Sequence, residues 1–331
     1  MQFGKMRRRA FITLLGGAAA WPIAARAQQA ERMRRIGVLM SVPNDSVGHA
    51  QLATFQEGLQ KLGWTENRNV RMDVRWALDA TDLRTFATEL VALQPDVIVA
   101  GATSALAPLQ QTTRTIPIVF AQVSDPLHGG FIENLAHPAG NVTGFALYEY
   151  GIGVKWLELL NQLAPRVNRV AVIFDPDNRS SLGQLSEIEA HATSFGVRPS
   201  AFPVRDAPEI EHAIEAFARE PNGGLIVLPN PITLGYRKLI IALAAKHHLP
   251  DVYAYRFHVT DGGLASYGVV VSDLYRRAAS YVARILNGEK PGDLPVQFAD
   301  KFELVINLKT AKTLGLDPPI SLLARTDEVI E

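Results

Sequence analysis

Downstream of residue 34 the chain alternates two kinds of segment with enough regularity to predict an architecture. Short runs dense in Val, Ile and Leu predict strands over 35–40, 70–76, 97–100 and 118–120. Between them, apolar residues recur at three- and four-residue spacing over 50–62, 82–93 and 104–111, predicting helices that bury one face. Gly63 closes the first of these helices. Repeated strand–helix units predict a parallel sheet covered on both sides.

The same pattern then starts again. Helices are predicted over 154–163, 181–195, 210–218 and 234–246, and strands over 170–174, 201–204, 225–228 and 252–255. Three β-like segments remain: 141–145, lying between Gly140 and Gly151, then 262–268, then 302–306. An amphipathic helix over 272–287, stopped by Gly288 and Pro291, separates the last two. The expected fold class is α/β, with two doubly wound Rossmann-like lobes joined by three crossing strands. That is the plan of a hinged binding protein, whose ligand lies where the carboxyl ends of both sheets meet. The competing plan is one α/β enzyme domain with a long C-terminal extension. The expected boundaries are a leader over 1–27, a linker over 28–34, a first lobe over 35–144 to which part of 268–300 returns, a second lobe over 145–267, and a third crossover with the C-terminal segment over 301–331.

The first residues follow a different rule. Lys5, Arg7, Arg8 and Arg9 precede an apolar, small-residue run that ends in Ala25-Arg26-Ala27, with no acidic residue before Glu31. This is the anatomy of a cleaved secretory signal, and Arg8-Arg9-Ala10-Phe11-Ile12 has the twin-arginine form. The run falls short of the ~20 residues a spanning helix needs. Cleavage near Ala27 predicts a periplasmic product. The whole chain carries 33 basic and 33 acidic residues, and removal of the basic leader leaves a mild acidic excess, so nucleic acid is not an expected partner. With no cysteine among the 331 residues, a lipid anchor, disulfides and thiolate chemistry are all excluded.

Candidate chemistry lies in the loops at the strand carboxyl ends. Gly101-Ala102-Thr103-Ser104-Ala105 follows a strand and opens a helix, so its backbone N–H groups and hydroxyls suit a carboxylate. Simple helix capping by Thr103 or Ser104 explains the same residues. Asp125, between Ser124 and Pro126, is placed to meet a ligand ammonium or to make an Asp-Pro turn. Ser41 follows the first strand, and Asn178, Ser181, Asn230 and Tyr255 hold the matching places in the second half. Arg256 is a carboxylate clamp or a surface arginine. No Gly-x-Ser-x-Gly elbow, Walker A loop, His-Glu-x-x-His or dinucleotide glycine fingerprint is found, and His247-His248 are neighbours that do not share a helix face.

Several motifs together resemble the ABC-transporter substrate-binding proteins related to tryptophan/tyrosine transport components. They are Pro117-Ile118-Val119-Phe120 through Asp125-Pro126, Gly140-Asn141-Val142-Thr143-Gly144-Phe145, and Lys155-Trp156-Leu157-Glu158-Leu159-Leu160. Gly262-Gly263-Leu264 with Ser266-Tyr267-Gly268, and Phe302-Glu303-Leu304-Val305-Ile306-Asn307 with Ala311 and Leu314-Gly315, complete the set. The resemblance implies a type I periplasmic binding fold that captures a small polar solute, an amino acid or related acid, for an ABC permease of the inner membrane. It implies a monomer without catalysis, cofactor or metal, and a cleft at Thr103, Ser104, Asp125, Asn178 and Asn230. The alternatives are a periplasmic hydrolase or isomerase, or a ligand sensor, on the same two lobes.

Overall fold

A computed structural model of the protein describes residues 32–138 and 140–331, so the expected leader lies outside the described residues. The first sheet contains β1 (Arg34–Met40), β2 (Val70–Trp76), β3 (Val97–Gly101), β4 (Ile118–Val123), β5 (Val142–Ala146) and, from far along the chain, β11 (Gln297–Phe298). Their order is β2-β1-β3-β4-β5-β11, and every pairing is parallel. Helices α1 (Ser46–Lys61), α2 (Ala80–Ala92) and α3 (Thr103–Thr112) connect the first four strands. The second sheet contains β6 (Arg169–Phe174), β7 (Arg198–Pro203), β8 (Gly223–Val227), β9 (Asp251–Tyr253), β10 (Ala265–Val269), β12 (Phe302–Asn307) and β13 (Glu328–Ile330). Its order is β7-β6-β8-β9-β10-β12-β13, with β12 antiparallel to β10. Around it run α4 (Ile152–Leu163), α5 (Arg179–His191), α6 (Ala207–Phe217), α7 (Pro231–Gly235), α8 (Arg237–Lys246) and α9 (Arg256–Thr260). The chain closes with α11 (Leu308–Thr313) and α12 (Ile320–Leu323), after α10 (Val271–Leu286).

Burial explains why these runs are strands. All five residues of β3, all six of β4 and all five of β8 are buried, as expected for central parallel strands covered by helices on both faces. Leu83 and Leu90 of α2 and Leu106 of α3 cover one face of the first sheet. On its other face α1 and α10 pack together, close enough that a Cβ on Gly58 would lie 2.8 Å from the Ala279 methyl. In the second lobe, Ile210, Ile214 and Phe217 of α6 and Ile240 of α8 cover one face, and Trp156 and Leu160 of α4 with Ile188 of α5 cover the other.

The three segments read as crossing strands are sheet members, and the crossings lie beside them, after the first two and before the third. β5 is the fifth strand of the first sheet, and the chain passes to the second lobe over 147–151. β10 belongs to the second sheet, and α10 then returns to pack on the first lobe. The last crossing runs over 299–301, from β11 to β12. Close backbone approach at these joints depends on two glycines. A Cβ on Gly144 would stand 2.1 Å from the Phe120 carbonyl oxygen, and one on Gly268 would stand 1.9 Å from that of Ala254. Trp156, fully buried, ties the joints together: its indole N–H donates to the Tyr267 carbonyl (2.7 Å), and its ring meets Tyr148 edge-on at 5.9 Å.

Candidate functional site

Strand carboxyl ends of both lobes face one another, so the site is built from strand-to-helix turns. In the first lobe β3 ends at Gly101, and Ala102 then adopts φ 87°, a conformation that disfavours any side chain. Its N–H donates to the Ala121 carbonyl (2.9 Å), which holds the turn. Ala102 offers no side-chain cap, so the first turn of α3 begins without a side-chain acceptor for its N–H groups. The Thr103 hydroxyl instead accepts from the Ser124 N–H (3.2 Å) and binds the β4 turn to the β3 turn.

In the second lobe the amides serve the helix starts. The Asn178 side-chain oxygen accepts from the N–H groups of Ser180 (3.0 Å) and Ser181 (3.3 Å), capping α5. Asn230 and Thr233 form a reciprocal capping box at α7, and the Thr233 hydroxyl donates to the Leu228 carbonyl (2.7 Å).

Between the lobes lies a small cavity of about 30 Å³. Of the eight candidates, the structure brings six into its wall: Ser41, Thr103, Ser104, Asn178, Asn230 and Tyr255. Gln122, Ser124 and Ser180 join them, and no charged side chain is in the wall. Ser41 and Ser180, from opposite lobes, are 0% and 3% exposed, and their hydroxyls have no hydrogen-bond partner. Past Thr103, Ser104, Asn178 and Pro231 the cavity meets a wider groove of about 450 Å³.

Asp125 and Ser181 are not in the wall. The Asp125 carboxylate is buried against its own turn, where it accepts from the His128 N–H (3.2 Å) and faces the His128 ring nitrogen at 2.9 Å. Its charge draws the His128 pKa upward. The carboxylates of the cleft stand instead on the groove. Asp79 caps α2 and Asp177 pairs with Arg205 at 3.1 Å, whereas Asp175 accepts only the Asp177 N–H, and burial pushes its pKa up. Arg256 is committed elsewhere, paired with Glu303 at 3.5 Å and with Glu328.

Beneath the cavity lies one group that the sequence pattern did not mark. Tyr275, carried back to the first lobe by α10, donates from its hydroxyl to Gln122 Oε1 (3.3 Å). Tyr148, Tyr255 and Tyr275 are all buried, and desolvation raises all three hydroxyl pKa values, so they stay neutral donors. Gln122 itself takes φ 64° where β4 loses register with β5. At the rim, Arg237 of α8 bridges the lobes: its Nη1 lies 2.8 Å from Asp45, the N-cap of α1, and its Nε 2.9 Å from Asp261. Among the described residues there is no group of three ligating side chains that could hold a metal, and no helix is long and apolar enough to cross a membrane.

A sequence model of the family described as ABC transporter substrate binding protein matches residues 35–330. The chain belongs to that family. A tyrosine-binding protein of Clostridioides difficile is 26% identical to it over 293 residues, covering 86% of this chain and 82% of the relative. An ABC domain from Streptococcus pneumonia, solved in complex with L-Trp, superposes with a TM-score of 0.83 at 26% identity, over 90% of this chain and 99% of the other. A ligand-free, open substrate-binding protein from Clostridium difficile gives 0.65 at 24% identity, again over 90% of this chain and 99% of the other. The fold is thus the type I periplasmic binding fold of this substrate-binding family, with two lobes and a cleft between them.

Proposed function

We propose that the chain captures an amino acid between its lobes outside the cytoplasmic membrane and presents it to an ABC permease, without chemical change. The observation that carries this is the pair of buried, unpartnered hydroxyls, Ser41 and Ser180, facing one cavity from opposite lobes. A buried hydroxyl without a partner costs on the order of 1–3 kcal/mol, so a solute that supplies the partner favours the closed state. In this reading the uncapped start of α3, with Ser41, Thr103, Ser104 and Ser180, takes the carboxylate. Asn178, Asn230 and Tyr255 complete the wall, while Asp125 and Ser181 support it from behind. Asp175 takes the ammonium, because a half-buried carboxylate without a cation gains most from one.

The relatives' ligands, tyrosine and L-Trp, favour an aromatic amino acid here. In the same reading residues 1–27 direct export by the twin-arginine route, cleavage falls near Ala27, and the product is a monomer whose lobes divide near 144 and 267. Purified protein should melt at a higher temperature with its solute, since ligand at 1,000 times Kd adds about 4 kcal/mol. An aromatic amino acid is expected to give the largest shift in a panel of amino acids and small acids. A panel that gives no shift at millimolar concentration would sink the reading.

A further inference from the structure

The two spaces between the lobes differ in size and in chemistry. The inner cavity, about 30 Å³, sets hydroxyls and amides among Ala102, Leu147, Pro229 and Leu234 and has no charged side chain in its wall, whereas the groove carries aspartates and arginines. It has room for a guest little larger than water, not for an aromatic ring. The outer groove, about 450 Å³, falls in the range of small-molecule sites, roughly 300–1,000 Å³. Its first-lobe wall carries an apolar stretch of Leu83, Ala107, Pro108 and Phe131 beside Asp79 and Gln111, and Ile232 faces it from the second lobe. Asn178, the N-cap of α5, lies where the two spaces join, and Asp175 lines the groove. The groove stays open to solvent at its outer end, with Arg84 and Arg179 among its lining residues.

We infer, resting on the amino-acid reading above, that the solute's carboxylate occupies the inner cavity and its side chain runs outward along the groove, so that the chain accepts α-amino acids whose side chains are longer than those of tyrosine and tryptophan. The direction follows from size and polarity. A ring does not fit among the inner hydroxyls, and in the groove a carboxylate would lose hydration over Leu83 and Phe131 and stand beside Asp79, Asp175 and Asp177, whose charges oppose its own. The length follows from the open end. A closed pocket would exclude a second ring, whereas this groove offers it apolar wall.

The test is a ladder of side chains, measured by calorimetry on the purified chain: alanine, leucine, phenylalanine and 4-phenyl-phenylalanine. Affinity is expected to rise along the ladder, with 4-phenyl-phenylalanine binding at least as tightly as phenylalanine. The methyl ester of phenylalanine should bind about tenfold or more weakly than the free acid, because its head no longer suits the inner cavity. Ala107→Trp and Ile232→Trp fill the groove from opposite lobes, so each should flatten the ladder even if one of them perturbs folding. Tight binding of phenylalanine with loss of the two-ring compound would overturn the inference and leave amino-acid capture standing. So would a ladder that both tryptophan variants leave unchanged. If none of the four binds, amino-acid capture fails and this inference fails with it.

Discussion

His258 sits inside the second lobe with its ring stacked on Tyr253 at 4.5 Å and on Phe257 at 4.7 Å. Burial in that stack lowers its pKa to about 3, although its Nδ1 lies 3.2 Å from the Tyr255 carbonyl. Nearby, Asp251 is fully buried, and desolvation raises it to about 6 despite donors from the Leu264 N–H and the Tyr253 hydroxyl. The two shifts act on stability with opposite sign. The unfolded chain binds the His258 proton more tightly, so that contribution is complete above pH ~6.5 and is lost as pH falls toward 3. The folded chain binds the Asp251 proton more tightly, so that contribution is complete at or below pH ~3.9 and is lost as pH rises toward 6. Between pH 4 and 6 the two slopes, each roughly 1 kcal/mol per pH unit, oppose one another. Urea unfolding at pH 4, 5 and 6 should therefore show a nearly flat stability for the parent. His258→Phe, which keeps the stack, should become more stable as pH falls across that window. A parallel, flat response in His258→Phe would contradict the assignment.

At the scale of elements, strand–helix alternation was legible because burial on both faces leaves continuous apolar runs, as in β3, β4 and β8. Elements too short to show a period were not legible: β11 has two residues, β13 has three, and α7 and α9 have five each. One helix expected over 234–246 begins instead as α7 and breaks at Tyr236 before α8. The site was legible in its place but only partly in its roles. Loops at the strand ends are rich in short polar residues, and much of that richness is helix capping: Asp45, Asp79, Asn178, Asp206 and Asn230 all cap helices. Capping and recognition favour the same residue types, so composition does not separate them. Tyr275 escaped notice because its helix returns from another part of the chain.

The joints make the sharpest prediction at this scale. Gly268→Ala would place a methyl against the Ala254 carbonyl and push β10 from β9, costing about 1–3 kcal/mol by analogy with overpacked cores. Gly151, in the first crossing, has φ −58° and open space around its Cα, so Gly151→Ala should leave the melting temperature unchanged or slightly raised. Equal melting temperatures for the two variants would show that close packing at β10 is not required.

For the whole molecule the decisive quantity is the balance between open and closed lobes, and Arg237 is placed to set it. Its guanidinium is 8% exposed and joins Asp45 of the first lobe to Asp261 of the second. Burial alone would raise Asp45, but the Gly48 N–H and Arg237 outweigh it and hold the carboxyl below its usual range. Opening must separate Arg237 from Asp45 yet leaves it Asp261, so the cost of opening through this contact is that of one ion pair, buried at the arginine and partly exposed at the aspartate, about 1 kcal/mol. Asp45→Asn isolates that contribution. Asparagine still caps α1 through its side-chain oxygen, so the cap is kept while the ion pair and hydrogen bond to Arg237 are lost. Solute affinity should fall by roughly fivefold, mostly through faster release, although residue 45 lies outside the cavity wall. The parent's affinity should weaken with added salt, and that of Asp45→Asn should not. Small-angle scattering of the ligand-free variant should give a larger radius of gyration than the parent, as its lobes spend more time apart. If affinity, salt dependence and radius all match the parent, closure is governed by the solute and the joints alone, and the Arg237 bridge is only a surface contact.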